Sequence, residues 1–321
     1  MENGSLVISL DFELLWGVFD KVNWRDRKEY FQNTRKLIPD ILQFFENYNI
    51  QCTWATVGML FNKNWEEWNQ NIPDNLPGYF NKNLSAYTFG KTIQIKETEN
   101  LCFAPELVKR ILETGNQELA THTYSHYYCR EEGQNVDSFS SDIKTAIKMA
   151  SNFGVDLHSL VFPRNQLNPD YLKICSNLGI KNVRSNPETW YWKDTENDSL
   201  QQKIFRTGDA YIGKKDKPYK FSEIDITNQL SVQPASRLLR PYSGKTFLDK
   251  LKMKRILDEM TYAARNAKIY HLWWHPHNFG NDPKKNLQDL ELILKHFLKC
   301  RNKYGFQSLS MKGINNILTG A

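Results

Sequence analysis

The sequence predicts an α/β protein built around a parallel sheet. Segments rich in apolar and β-branched residues alternate with segments of helical periodicity, a pattern typical of strands joined by crossover helices. We expect strands near residues 5–11, 51–57, 117–122, 158–163, 181–184, 269–274 and 305–309. We expect helices near residues 29–48, 105–115, 138–153, 169–178, 246–266 and 284–303. The chain has 321 residues, a common length for an α/β barrel, so we treat residues 1–321 as a single domain.

The first predicted strand ends in two acidic residues. In SLVISLDFELLWG, the apolar run before Asp11 is typical of a strand buried in a parallel sheet. Asp11 and Glu13 are two positions apart, so in an extended chain both carboxylates project from the same face. Such a pair needs a cation or a proton when it is buried, because like charges raise each other's pKa. Solvated carboxylates in a turn are the alternative, but the apolar residues LLW that follow favour a functional site.

Two histidines follow the third predicted strand. In ELATHTYSHYYC, His122 and His126 are four residues apart, which is one helical turn, so both imidazoles can point the same way and bind one divalent metal. A pair with this spacing also arises by chance in a chain with seven histidines. The metal hypothesis therefore needs a third ligand, and an acidic residue at the end of the first strand could provide it.

A late strand carries the third group of candidate residues. In AKIYHLWWHPHNFG, Pro276 restricts the preceding residue to extended geometry, which places His275 at the tip of the strand. We expect His271 to be a core histidine inside the strand and His277 to lie further out in the loop. Candidate residues at the ends of three distant strands match the way in which barrel enzymes assemble their active sites.

In this order, the motifs resemble those of the polysaccharide deacetylases, carbohydrate esterase family four. The segment QCTWATVGMLF resembles the second strand of that family, and VFPRNQ resembles its arginine motif. The resemblance implies a distorted (β/α) barrel of about seven strands with one divalent metal, usually zinc and sometimes cobalt or nickel. It implies that Glu13, His122 and His126 bind the metal. It also implies that Asp11 is the general base and that His275 protonates the leaving amine.

The sequence departs from the family pattern in three places. Phe12 separates the two acids, which are adjacent in most of the family and spaced in a peptidoglycan-deacetylase and allantoinase-like branch. Pro163 precedes Arg164, which we nevertheless expect to hold Asp11 ionised as part of the catalytic set. The Asp-Trp motif of the family is missing. Arg237 and Arg240 either fill part of that gap or are surface arginines.

Two long segments, residues 62–100 and 186–240, are predicted as insertions in the barrel. They are rich in Trp, Tyr, Pro and Asn, and their aromatic side chains either stack on sugar rings or cover the rim of the barrel. The aromatic residues in question are Trp65, Trp68, Tyr79, Trp190, Tyr191 and Trp192. We expect substrate contacts from a further set, namely Trp16, Tyr124, Trp274, His277 and Arg240.

Composition limits the remaining choices. The net charge is +6 and dispersed, with its densest run at residues 214–220, and no nucleic-acid recognition motif is present. Five scattered cysteines suggest no thiolate cluster. Without a signal core or a transmembrane window, we expect a cytoplasmic protein. The resemblance implies an enzyme that removes an N-acetyl group from an amino sugar in a glycan or glycan precursor, which a nucleotide or a lipid could carry. A ureide or formamide hydrolase and a non-catalytic glycan-binding relative are the alternatives.

Overall fold

The computed structural model describes residues 3–187, 189–193, 199–212 and 217–320. Its strands are β1 (Ser5–Phe12), β2 (Cys52–Thr56), β3 (Gln117–Thr121), β4 (Ser159–Val161), β5 (Asn182–Ser185), β6 (Asp225–Thr227), β7 (Leu230–Pro234), β8 (Arg237–Leu238), β9 (Ile269–Trp274) and β10 (Gln307–Leu309). Its helices are α1 (Lys28–Tyr48), α2 (Trp65–Gln70), α3 (Ala86–Thr92), α4 (Lys96–Cys102), α5 (Pro105–Glu113), α6 (Val136–Ser151), α7 (Pro169–Asn177), α8 (Trp190–Lys193), α9 (Leu200–Gly208), α10 (Thr246–Arg265), α11 (Pro283–Tyr304) and α12 (Met311–Thr319).

Strand β1 is central to the sheet, whose strand order is β6-β7-β5-β4-β3-β2-β1-β9-β8. On one side β1 pairs with β9. On the other side its first half pairs with β10 and its second half with β2. All of these pairings are parallel, and among the described strands only the β6–β7 pair is antiparallel. Parallel pairing brings the carboxyl ends of β1, β2, β3, β4, β5 and β9 to one edge of the sheet.

Ala235 and Ser236 carry the chain from one end of the sheet to the other. The N–H of Ala235 donates to the carbonyl oxygen of Ser185 on β5, at 2.8 Å. The N–H of Ser236 donates to the carbonyl oxygen of His271 on β9, also at 2.8 Å. Strands β7 and β8 therefore pair with β5 and β9 respectively, while no ladder joins β5 to β9 within the described ranges. The parallel sheet is thus rolled into a distorted barrel without a continuous closing ladder.

Alternate residues of the strands face two different cores. One set points outward and packs against the helices; in β1 it includes Leu6, Ile8 and Leu10. The other set points inward and forms a small core that α12 covers at one end of the barrel. That inner core includes Val7, Ala55, Ala120, Val161, Ile269, Met311 and Ile314. Toward the carboxyl ends, the inward positions of β1 become polar, at Ser9 and Asp11, so the polar end of the barrel is where functional side chains gather.

The predicted α/β class is confirmed, and each of the seven predicted strands and six long helices is present within a few residues. The predicted strand count is too low, because residues 186–240 contribute β6, β7 and β8 besides α8 and α9. Residues 62–100 fold into α2, α3 and α4 with a short 3₁₀ helix between them. Of the basic run at residues 214–220, Lys214, Lys215 and Asp216 lie outside the described residues. No helix among those described is both long enough and apolar enough to cross a membrane.

Candidate active site

Glu13, His122 and His126 converge at the carboxyl ends of β1 and β3. The Oε2 atom of Glu13 lies 3.3 Å from Nε2 of His122 and 3.1 Å from Nε2 of His126. All three side chains are buried, and one ligand atom from each lies within 4.8 Å of the others. The distant motifs of the sequence are therefore brought together as predicted.

A sharp turn after β1 and a close glycine position the carboxylate of Glu13. Leu14 adopts a left-handed conformation with φ of 44°, an uncommon one for a residue other than glycine. A Cβ atom at Gly17 would lie 2.0 Å from Cδ of Glu13. Only glycine at position 17 therefore leaves room for the glutamate side chain in this position.

The loop from His122 to His126 is not helical, so the predicted helical turn is wrong. Thr123 and His126 both have left-handed backbone conformations, with φ of 63° and 56°. Asp142 on α6 holds this loop in place, because its Oδ1 accepts from the N–H of Tyr124 at 2.6 Å and its Oδ2 from the N–H of Ser125 at 3.1 Å. Left-handed conformations of β-branched residues cost energy, and such an anchor compensates for it.

The protonation states of this group suit a cation. Nδ1 of His122 lies 2.8 Å from the carbonyl oxygen of Val161, which can only accept, so Nδ1 carries the proton and Nε2 presents a lone pair. Burial lowers the pKa of His126 to about 4, which leaves that imidazole neutral near pH 7. Oε2 of Glu13 is buried and has no hydrogen-bond donor among the described residues. An unsatisfied carboxylate oxygen facing two imidazole nitrogens is the donor set of a divalent metal such as zinc.

Asp11 is paired with Arg184, a residue that the sequence analysis missed. The two guanidinium nitrogens Nη1 and Nη2 donate to Oδ1 and Oδ2 of Asp11, each at 2.7 Å. Burial opposes ionisation of Asp11, but Arg184, with His122 and His275, outweighs it and the pKa of Asp11 is lowered. The guanidinium also lies 4.3 Å from the ring centroid of Trp273. Arg184 therefore keeps Asp11 ionised inside the barrel.

Arg164 does not have the position predicted for it. Its guanidinium forms an ion pair with Asp20 and lies 3.7 Å from Glu131, on the surface side of the site. The backbone explains this position, because Arg164 follows β4 in a left-handed conformation with φ of 55°. The prediction that Arg164 holds Asp11 ionised is wrong, and Arg184 on β5 has that place.

His275 and His277 both reach the carboxylates from the end of β9. Nε2 of His275 lies 3.6 Å from Oδ2 of Asp11 and 3.7 Å from Oε1 of Glu13, and its side chain is 26% exposed. Nδ1 of His277 lies 3.6 Å from Oε1 of Glu13, and its side chain is only 5% exposed. The prediction that His277 lies further out than His275 is wrong, because the 3₁₀ turn Pro276–Phe279 folds back under the strand end. His271 is buried in the strand, as predicted, and lies 2.8 Å from Oγ of Ser9.

Three of the predicted substrate contacts are core residues instead. Trp16 is buried, with its Nε1 donating to the carbonyl oxygen of Cys102. Tyr124 is buried beside Asn62. Trp274 is buried and stacks on Phe279. Trp274 directly precedes His275, and neighbouring residues of an extended chain point to opposite sides.

The two arginines of PASRLLRPY are also structural. Arg237 is buried and donates to Glu259 through Nε, at 2.6 Å. Arg240 donates to the carbonyl oxygen of Arg206, at 3.1 Å, and has no contact with the carboxylates of the site among the contacts of the described chain. Arg237 is therefore not a surface arginine. The contacts of Arg240 give no support to its predicted role in binding substrate.

Most of the inserted aromatic residues cover the barrel rather than line an open surface. Five of the six are buried, and Trp190 is exposed; the buried ones are Trp65, Trp68, Tyr79, Tyr191 and Trp192. Trp65, Trp68 and Trp16 form one packed cluster. The rim-covering interpretation therefore accounts for these five.

Comparison with known families agrees with the observed fold. The family model named polysaccharide deacetylase matches residues 18–183, which is more than half of the chain. The chain therefore belongs to the polysaccharide deacetylase family. No curated protein sequence matches it significantly.

Several solved structures share the fold at low sequence identity. A provisionally assigned polysaccharide deacetylase from Mycobacterium smegmatis is similar with a TM-score of 0.63 and 13% identity, over 99% of this chain and 91% of that one. Another, from Pseudomonas aeruginosa PAO1, gives a TM-score of 0.59 and 10% identity over 97% and 89%. PuuE allantoinase gives 0.60 and 10% over 99% and 90%. At these identities the similarity concerns the fold alone.

Proposed function

We propose that the protein is a metal-dependent hydrolase that removes an N-acetyl group from an amino sugar in a glycan or glycan precursor. The observation that carries the proposal is the buried Glu13–His122–His126 group, whose Glu13 Oε2 lacks a hydrogen-bond donor among the described atoms. A divalent metal held there would polarise an amide carbonyl and lower the pKa of water. Three protein ligands leave a coordination position for the reacting groups.

Asp11 is the proposed general base. It shares the barrel interior with Glu13, and its bidentate pair with Arg184 keeps it ionised and fixes its orientation. A carboxylate whose proton-accepting form is stabilised in this way takes a proton from water as the water attacks the amide carbon. Arg184 is the positioning residue for that step.

His275 is the proposed general acid. It is the most exposed of the site histidines, and its Nε2 lies within 3.7 Å of both carboxylates. Its partial exposure to solvent would let it exchange protons while it stays beside the two carboxylates. A proton passed from Nε2 to the amide nitrogen as the C–N bond breaks would let that nitrogen leave as a neutral amine, with the acyl group leaving as acetate.

Acetate release tests this proposal. N-acetylglucosamine oligomers, nucleotide-linked N-acetylated sugars and lipid-linked ones are incubated with the protein and zinc, cobalt or nickel. We expect acetate from at least one class, a loss of about 10²–10⁴-fold in rate in His275→Ala, and a comparable or larger loss in Asp11→Asn. Acetate release from none of them, or equal release by Asp11→Asn, would contradict the assignment.

Ureide hydrolysis is the second candidate function. The spaced acid pair Asp11 and Glu13 resembles the allantoinase-like branch of the family, and PuuE allantoinase shares the fold. The same metal, base and acid would serve a cyclic amide, so the substrate decides between the two functions. Ring opening of allantoin without acetate release from any sugar would favour this candidate. The third alternative, a non-catalytic glycan-binding relative, would lack a metal ligand or a base. This chain has candidates for both, namely Asp11, Glu13, His122 and His126, which argues against that alternative.

A further inference from the structure

His277 lies beside one oxygen of Glu13, and the candidate metal ligands lie beside the other. Nδ1 of His277 is 3.6 Å from Oε1 of Glu13, and Nε2 of His275 is 3.7 Å from the same oxygen. Oε2 of Glu13 faces the imidazoles of His122 and His126. Each oxygen of this carboxylate therefore has its own pair of histidines, and only the pair at Oε2 belongs to the candidate metal group.

The Nδ1 atom of His277 is buried and has no hydrogen-bond partner among the described residues. The other close neighbours of this imidazole are rings. It stacks on His275, with ring centroids 5.1 Å apart and an angle of 25° between the planes. It also packs against Tyr30 and Phe31, at 5.8 and 6.4 Å between ring centroids. A buried polar atom without a partner costs free energy, so Oε1 of Glu13 is the group that would satisfy Nδ1.

The carboxylate of Glu13 determines which nitrogen of His277 carries a proton. A protonated imidazole has an N–H group at both nitrogens, and a neutral imidazole has one at either Nδ1 or Nε2. The neutral form with its proton on Nε2 would place the Nδ1 lone pair opposite a carboxylate oxygen, and two acceptors repel each other. Both other forms have an N–H group at Nδ1. In either of them Nδ1 is the donor and Oε1 the acceptor.

The 3₁₀ turn Pro276–Phe279, which carries His277, is fixed against α1. The N–H of Gly280 donates to the carbonyl oxygen of His277, at 2.9 Å. The carbonyl oxygen of Gly280 accepts from Nδ2 of Asn33 on α1, at 3.1 Å. A Cβ atom at Gly280 would lie 2.4 Å from the carbonyl oxygen of Tyr30, so only glycine lets the turn come this close to the helix. Because its backbone is held in this way, His277 can hold Glu13 in turn.

We propose that His277 is a positioning residue for Glu13, donating from Nδ1 to Oε1 so that Oε2 stays directed at the two metal-binding imidazoles. The present distance of 3.6 Å is longer than the ~2.7–3.2 Å of a hydrogen bond, and a movement of about 0.5 Å closes it. Hydrogen bonds in catalytic sites are often long in the free protein and tighten in the reacting complex. This role rests on the proposed metal site of the hydrolase, not on the identity of its substrate.

Competition for zinc with a chelator tests this role. His277→Leu keeps a large side chain but removes the donor, and we expect it to bind zinc about 10–100-fold more weakly than the wild type. His277→Asn should recover most of the affinity, because its amide nitrogen is as many bonds from Cα as Nδ1 is and can donate to Oε1. His296→Leu is the matched control. It removes an imidazole on α11 that lies 2.8 Å from Oγ1 of Thr261, away from the site, and should bind zinc like the wild type.

NMR of the metal-free wild type tests the hydrogen bond separately and does not need His277→Leu to fold. The nitrogen chemical shifts of labelled histidines show which imidazole nitrogen carries a proton, and His277→Asn assigns the signals of His277. We expect a proton on Nδ1, and a lone pair there would overturn the proposal. So would equal zinc affinity in His277→Leu and the wild type, or a loss that His277→Asn shares in full. Zinc binding that depends on Glu13 but not on His277 would leave the proposed function intact, whereas wild-type protein that binds no zinc would contradict both.

Discussion

Arg184 is the residue that connects the barrel interior to the candidate base. Its side chain crosses from β5 to β1 and is fully buried, so its charge depends on Asp11 for compensation. Nη1 also donates to Oγ of Ser9 and Nη2 to Oδ1 of Asn165, at 3.0 Å each. Because Arg184 is buried and donates to both oxygens of Asp11, it fixes that carboxylate in one orientation. A positive charge without direct contact would not fix the orientation.

We predict that Arg184→Gln destabilises the protein strongly and that Arg164→Gln does so weakly. Breaking a buried ion pair leaves one charge uncompensated and costs about 3–5 kcal/mol in free energy of unfolding. Arg164 is partly exposed to solvent, which screens the loss of its pair with Asp20. Urea unfolding measures both variants. Adding Asp11→Asn to Arg184→Gln should recover part of the loss; a strictly additive double variant would contradict the coupling.

At this scale the sequence identified the candidate residues that converge at the strand ends, but not the residue that supports them. Asp11, Glu13, His122 and His275 stand at strand ends, where local patterns mark them. Arg184 stands inside the predicted strand 181–184, and its partner is 173 residues away, so pairing depends on how the sheet rolls up. The sequence did offer one signal for Arg184, because a charged residue inside a strand predicted to be buried needs a partner of opposite charge. The errors at Trp16, Tyr124 and Trp274 came from assigning the site to neighbours in sequence that point into the outer core.

Among the elements, the loop between β3 and α6 has the most demanding conformation. Its backbone passes twice through left-handed geometry, at Thr123 and His126, to aim the second imidazole at Glu13. The sequence pattern H-x-x-x-H predicts a helical turn, whereas tertiary contacts, among them those with Asp142, favour the loop. Helix α6 begins at Val136 with Asn135 as its cap, so Asp142 lies within the helix rather than at its start.

We predict that Asp142→Asn weakens metal binding while Asp137→Asn does not. The asparagine amide can accept on one side only, so either the Tyr124 or the Ser125 donors lose their partner and the loop relaxes. Losing a residue that orients metal ligands typically lowers metal affinity about 10–100-fold. Asp137 lies on the same helix with its side chain exposed, which makes it the matched control. Competition with a zinc chelator measures the affinity; equal affinities in both variants would contradict the anchoring role.

For the whole molecule, the predicted alternation of strands and helices was sufficient for the fold class. The order of the strands and the short strands of residues 186–240 were not predictable in the same way. β8 has two residues, and its position follows from the chain crossing at Ala235 and Ser236, not from any local preference. The interior of the barrel is polar at one end and apolar at the other, which concentrates the buried charges at the candidate site.

Because of that concentration, a metal bound at Glu13, His122 and His126 would contribute to the stability of the entire fold. Oε2 of Glu13 faces two imidazole nitrogens without a donor among the described groups, so a cation bound there would satisfy all three groups at once. We predict that zinc at about 100 times its dissociation constant adds roughly 2.7 kcal/mol to the free energy of unfolding. For a domain of this size the melting temperature should rise by about 5 °C. Calorimetry of chelator-treated protein, before and after zinc is added back, measures the rise.

Two substitutions distinguish the Glu13 site from adventitious zinc binding. Glu13→Gln should abolish the rise, and without metal this variant should be at least as stable as the wild type, because the amide can donate to an imidazole nitrogen. Gly17→Ala should also reduce the rise, since its Cβ would lie 2.0 Å from the Glu13 side chain and displace it. Gly115→Ala is the control, because a Cβ at Gly115 meets no atom within 4 Å. A zinc-induced rise that persists in Glu13→Gln would place the metal elsewhere, and the hydrolase proposal would lose its principal support.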